Sequence, residues 1–147
     1  MVSLKFWRWM SAGTLAALWC LGYSYGAEPE NGAKAIVTID KAAPLKRFPS
    51  EKYAVPGKPV PEAGSKMSYG GSLRTGIFAG GPGVIRLQDW PDDEEVVLVS
   101  GHLVIVSDDG KSSSFGPGDV FVIPKGFNGT YEMKDKMKEI YIEPGKR

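Results

Sequence analysis

From Gly76 to the C-terminus, short apolar stretches alternate with turn residues at regular intervals, a pattern that predicts strands joined by tight reversals. The predicted strands are Gly76 to Ala79, Val84 to Gln88, Glu95 to Val99, Leu103 to Ser107, Ser112 to Phe115, Val120 to Ile123, Gly129 to Met133 and Lys138 to Glu143. Ser100-Gly101, Asp108-Asp109-Gly110 and Gly116-Pro117-Gly118-Asp119 supply turns, and Gly101 and Gly126 are expected where the backbone needs a positive φ or a close approach. No segment after residue 27 has helical periodicity. The fold class is therefore all-β.

Between Ala27 and Ser72, Pro44, Pro49, Pro56, Pro59 and Pro61 interrupt the pattern, and proline lacks the amide donor that a sheet interior requires. Residues 27–72 read as an extended Pro-rich arm with one edge strand at Ala35 to Ile39, and residues 73–147 as the barrel. The first 26 residues differ from both. Lys5 and Arg8 precede an uncharged apolar run from Met10 to Tyr23, too short for a span of about 20 residues, which softens into Ser24-Tyr25-Gly26-Ala27. That is a secretory signal pattern, with cleavage expected after Gly26 and, second, after Ala27. Trp19 before Cys20 argues against a lipid-modified cysteine.

Composition changes this picture little. The chain of 147 residues has 19 Gly and 11 Pro, more breakers than a helical bundle tolerates. Removing Lys5 and Arg8 with the leader takes the formal charge from +1 to −1, which excludes the basic field of a nucleic-acid binder. The mature chain keeps no cysteine and one histidine, so neither disulfides nor a Ser-His-Asp or Cys-His set can be assembled.

Two stretches carry a family resemblance. Glu94, six residues and Gly101 match the second half of the first cupin motif, Gly-x5-His-x-His-x3 or 4-Glu-x6-Gly. Gly118-Asp119-Val120-Phe121-Val122-Ile123-Pro124-Lys125-Gly126 matches the start of the second, Gly-x5-Pro-x-Gly, after 16 intervening residues. More narrowly, Phe115 to Asp119 and Pro124 to Glu132 resemble the cupin subgroup named for (S)-ureidoglycine aminohydrolase. The resemblance covers Gly76 to Ile142 and implies a cupin double-sheet jelly roll, a small β-barrel with a cavity at one mouth.

A metal-binding cupin gathers two His and a Glu from the first motif and a His from the second. Here the His-x-His pair falls on Gln88 and Trp90, or on Leu87 and Asp89, and the second-motif His on Gly129. Only Glu94 remains, so the resemblance leaves no metal set and implies no cofactor. His102 lies outside the ligand positions and reads as a turn histidine, and Asp89, Asp92, Asp93, Glu94 and Glu95 read as a solvated acidic loop. If Glu94 keeps its family position it faces the cavity, Val96 and Leu98 follow it inward, and Tyr131 and Met133 point in from Gly129. A lone carboxylate there has a raised pKa unless a cation pairs with it, for which Arg86 and Lys138 are the nearest candidates. Trp90, Tyr131 and Tyr141 would stack on a sugar or planar ligand or fill the core.

The expectation is an exported, periplasmic or secreted cupin-domain protein that binds a small polar or aromatic molecule through Glu94, Trp90, Tyr131, Arg86 and Lys138. It meets the membrane only through its leader. Two other classes stay open. One is an aminohydrolase- or isomerase-like enzyme, metal-dependent or using Glu94 as acid and base; the other is an envelope module whose arm forms a homodimer. Mass spectrometry of the native protein should find a chain beginning at Ala27 or Glu28; an intact Met1 to Tyr25 would refute export.

Overall fold

The computed structural model describes residues 35–145, so the predicted leader lies outside the described residues. Ten strands form two antiparallel sheets. In chain order they are β1 (Lys46–Phe48), β2 (Ala63–Gly70), β3 (Leu73–Gly80), β4 (Gly83–Leu87), β5 (Glu94–Ser100), β6 (Leu103–Ser107), β7 (Ser112–Phe115), β8 (Val120–Ile123), β9 (Gly129–Met133) and β10 (Met137–Pro144). The larger sheet runs β1-β2-β3-β10-β5-β8 and the smaller β4-β9-β6-β7. The all-β jelly roll read from the sequence is the architecture found, and each strand predicted from Gly76 onward is present within a few residues of its expected ends.

The core fills the space between the sheets. Phe78, Val96 and Leu98 of the larger sheet meet Ile85, Leu87, Leu103, Ile105, Tyr131 and Met133 of the smaller, all buried. Val96, Leu98, Tyr131 and Met133 point inward as period-two alternation requires, while Val97 and Val99 are half-exposed on the outer face.

The segment before Ser72 departs from the expected arm. Ala35 to Ile39 forms no strand, and Ile36 is 97% exposed. The sheet edge is taken instead by β1, paired with β2, an eight-residue strand inside the larger sheet. Apart from Met67 and Tyr69, β2 consists of small residues, serines and one lysine, so it lacks the β-branched signature by which strands are recognised. Its small residues suit the crowding: a Cβ on Gly64 would lie 2.9 Å from Leu45 Cβ, and one on Gly80 2.7 Å from Ala63 Cβ. The segment also closes the barrel. Phe48 stacks on Tyr53 with centroids 5.4 Å apart and meets Phe78 edge-on at 5.2 Å, and Ala54 bridges Ile85 across to the smaller sheet.

Gly101 (φ 82°) and Gly126 (φ 79°) both adopt the left-handed conformation expected of them. At Gly101 a Cβ would fall 2.5 Å from Met137 Cα, whereas at Gly118 (φ 92°) it would meet nothing within 4 Å. Both substitutions to Ala carry the left-handed penalty of about 1–2 kcal/mol. Gly101→Ala should cost clearly more than Gly118→Ala in urea unfolding, because only the former forces two backbone segments apart; equal losses would contradict that contact.

Candidate functional site

The inner face of the barrel carries two carboxyl groups. Glu94 opens β5 and points inward beside Ile123 of β8, its register partner. Its Oε2 accepts a hydrogen bond from Trp90 Nε1 at 2.9 Å. Glu139, in the middle of β10, is 4% exposed and accepts a hydrogen bond from the buried hydroxyl of Tyr131 on the opposite sheet. Among the described residues no Lys, Arg or His side chain hydrogen-bonds either carboxyl.

Burial raises both pKa values. Glu94 is pushed up to about 7, chiefly by desolvation and then by the negative charge of Glu143, against the Trp90 hydrogen bond and the positive field of Arg74. Glu139 is pushed up to about 8 by desolvation and by the charge of Glu94, with the Tyr131 hydrogen bond opposing. Tyr131 is raised well above its usual value by its own burial and by Glu139. Two acids that repel each other's charge thus retain protons near neutrality, when exposed carboxyls have lost theirs. Arg74 is already engaged, at 2.6 Å from Glu143 and 3.3 Å from Asp92.

Of the residues expected at the site, Glu94, Trp90 and Tyr131 are brought together inside, and Arg86 and Lys138 are not. Arg86 lies between buried Ile85 and Leu87 in β4, so alternation turns it outward, where it forms a two-pronged pair with Asp108 at 2.6 and 2.5 Å. Lys138 precedes the inward Glu139 and therefore points out, donating to the Lys41 carbonyl at 2.7 Å. Neither can neutralise Glu94. Glu139 was missed for a related reason: in Glu139-Ile140-Tyr141-Ile142 the isoleucines look like the core-facing set, whereas the structure buries Glu139 and turns Ile140 and Ile142 outward.

The two loops at this mouth are zipped together. Gly126 N donates to the Trp90 carbonyl at 2.7 Å, Trp90 N to Phe127 O at 3.1 Å, and Lys125 N to Asp93 Oδ1 at 2.9 Å. Asp89, at φ 46°, donates its N–H to Asn128 Oδ1 at 2.9 Å. The acidic loop is thus divided among structural tasks: Asp93 tethers Lys125, Asp92 faces Arg74, and Glu94 alone enters the barrel. His102 is an exposed turn residue whose Nδ1 lies 2.7 Å from Asp135 Oδ2. Beside the mouth, an apolar slot of about 120 Å³ is bordered by Ile105, Ser113, Phe115, Phe121, Ile123 and Phe127. Ile105 and Ile123 are the register partners of Tyr131 and Glu94, so the slot is bordered by the strands next to those two residues.

The residues do not fit a metal of the kind cupins hold. Trp90 stands at one histidine position with its N–H aimed at the carboxylate that would be a ligand. At Gly129 a Cβ would lie 2.3 Å from the Val106 carbonyl oxygen and 2.8 Å from the Phe127 ring, so no imidazole can take its place. Among the described residues no three His, Cys, Asp or Glu side chains gather as a metal set.

The EutQ-like cupin domain matches residues 67–141. In three dimensions the chain is similar to the EutQ protein of Clostridium difficile, at 19% identity and a TM-score of 0.57, over 69% of this chain and 74% of that one. It is also similar to a putative ethanolamine utilization protein Q from Salmonella typhimurium, at 16% identity and 0.55, over 70% and 80%. A Pseudomonas syringae protein of unknown function superposes at 19% identity and 0.62 over 71% of this chain, which spans only 46% of that protein. At these identities the likeness is one of fold. No curated protein matches the chain.

The carboxyl pair makes stability depend on pH. Below about 4.5, the ordinary carboxylate value, both folded and unfolded chains hold these protons. As pH rises toward 7 and 8 the unfolded chain has lost them while the folded chain still binds them, so the unfolded state binds fewer protons and stability falls. Thermal melts from pH 5 to 9 should show this loss, and Glu139→Gln, which needs no proton, should flatten it. An unchanged slope in Glu139→Gln would contradict the assignment.

Proposed function

Since the chain belongs to the EutQ-like cupin family, we propose that its site lies inside the barrel, where Glu94 and Glu139 receive a small polar ligand. The carrying observation is the pair itself: two buried carboxyls, each held by a neutral donor, Trp90 or Tyr131, from outside its own strand. A buried carboxyl without a cation is costly to the fold, and a ligand that uses its hydrogen bonds offsets that cost. A protonated carboxyl donates one hydrogen bond and still accepts, so the pair suits hydroxyl, amide or carboxyl groups. The adjacent slot gives such a ligand room for a small apolar substituent.

A second reading rests on the same protons. Groups with pKa values near 7 and 8 can both give and take a proton close to neutral pH, which suits general acid–base catalysis without a metal. The aminohydrolase reading in its metal-dependent form has no such support, because Trp90 and Gly129 occupy the positions it needs. Export to the periplasm or medium is part of the proposal and is supported by the basic, then apolar, then small-residue order of the first 26 residues.

The test is a thermal-shift and calorimetric titration with glycerol, acetamide and acetate, which carry the hydroxyl, amide and carboxyl groups in their smallest form. At pH 6 at least one should raise the melting temperature of the wild type, a ligand at a hundred times its Kd adding about 2.7 kcal/mol. The shift should shrink at pH 9, and in Glu94→Gln and Glu139→Gln. No shift with any of the three, or one that persists in both variants, would overturn the proposal.

A further inference from the structure

The two sheets are tied together along one side of the barrel and stand apart along the other. On the tied side β1 ends the larger sheet and β4 the smaller, and the chain between β1 and β2 carries Ala54, which bridges Ile85 of β4. On the opposite side the free edges are β8 and β7, which pair with β5 and β6 but not with each other. Residues 116–119 join these edges at one end, where Gly116 N donates to Asp119 Oδ2 at 2.7 Å, and the loop of residues 124–128 leaves β8 at the other. Register assigns the inward side chains between them to two layers. Phe115 pairs with Leu103 and Phe121 with Val96, and the two rings stack with centroids 3.8 Å apart, which closes the end nearest the turn. Two residues along each strand, on the same face, come Ser113, paired with Ile105, and Ile123, paired with Glu94. Ser113 brings no ring to meet its counterpart, and here the slot of about 120 Å³ opens.

This window lies in the wall beside the polar interior. Ile105 pairs with Ser113 on one side and with Tyr131 on the other, and Ile123, in the facing wall, pairs with Glu94. A ligand held by the carboxyls thus finds there both an entrance and a pocket for the part they do not hold. The walls say what that part is. No charged side chain lines the slot, and apart from the Ser113 hydroxyl its side chains are apolar, three of them phenylalanine rings. A sugar would leave most of its hydroxyls without partners in such a slot, whereas an aromatic ring meets other rings edge-on or offset. The size agrees, since a closed apolar cavity of about 150 Å³ takes up one benzene molecule. We infer that the window between β7 and β8 receives a single aromatic ring, so that the ligand is a one-ring alcohol or amide with its polar group at Glu94, and that Ser113 sets this specificity by leaving the window open. The inference rests on the interior site proposed above.

Titrations with acetamide and benzamide at pH 6 test this, followed through the NMR signal of the Trp90 indole N–H that donates to Glu94. The two compounds share the amide and differ by the ring. Benzamide should bind about tenfold more tightly or better, because its ring leaves water for the slot. Ser113→Leu, on an edge strand where the larger side chain enters the slot, should remove that advantage and leave acetamide binding in place. Ser113→Ala, which keeps the slot open, should preserve it, and circular dichroism shows that both variants are folded. If neither compound moves the Trp90 signal, the interior site fails and the inference falls with it. Acetamide binding with benzamide no tighter would overturn the slot alone. So would a Ser113→Leu chain that retains the preference, or a Ser113→Ala chain that loses it.

Discussion

Glu139 sits at the centre of this barrel, and its presence there depends on the parity of β10. A shift of one residue would bury Ile140 and Ile142 and expose the carboxyl, which apolar burial alone would favour by about 1.5–3 kcal/mol per isoleucine. The observed register is held from both sides. Tyr141 turns inward because Gly76 opposite it has no side chain; a Cβ there would lie 2.5 Å from the Tyr141 hydroxyl. Thr75 Oγ1 donates to the Tyr141 carbonyl at 2.7 Å, and Arg74 grips Glu143. Tyr131, reaching across from β9, then donates a hydrogen bond to the buried carboxyl.

From that parity the polar interior follows. Glu94 enters from the first motif, where the family places a ligand carboxylate, but the positions around it have been refilled by groups that bind a carboxyl and cannot bind a metal. The Trp90 indole has only an N–H to donate where an imidazole would offer a lone pair to a metal, and Gly129 leaves space that the Phe127 ring and the Val106 carbonyl take up. The repulsion between Glu94 and Glu139 is relieved by protons instead of a cation.

The sequence made the barrel legible because its strands between Val84 and Met133 are short, β-branched and bounded by Gly, Pro and Asp turns. It made Glu94 legible because the spacing to Gly101 and the Pro-x-Gly turn locate it. Arg86 and Lys138 were misplaced because strand order brings residues near one another without saying which face they occupy; alternation from buried Leu87 settles Arg86, but only once the pairing is known. Glu139 was hidden by a hydrophobic pattern that points the wrong way, and β2 by a composition of small residues selected for close approach rather than for strand propensity.

The misleading pattern in β10 has its own physical meaning. A β-strand normally presents its apolar residues to the core, and an isoleucine pair facing out is unfavourable unless something else removes it from water. On β10 that pair stands level with Val97 and Val120 on one rung and with Val122 on the other, so the outward residues form a continuous surface across three strands. The cost of turning Ile140 and Ile142 outward and the cost of turning Glu139 inward are incurred by the same register, and neither is repaid inside one isolated barrel. A ligand that uses the carboxyls offsets the second.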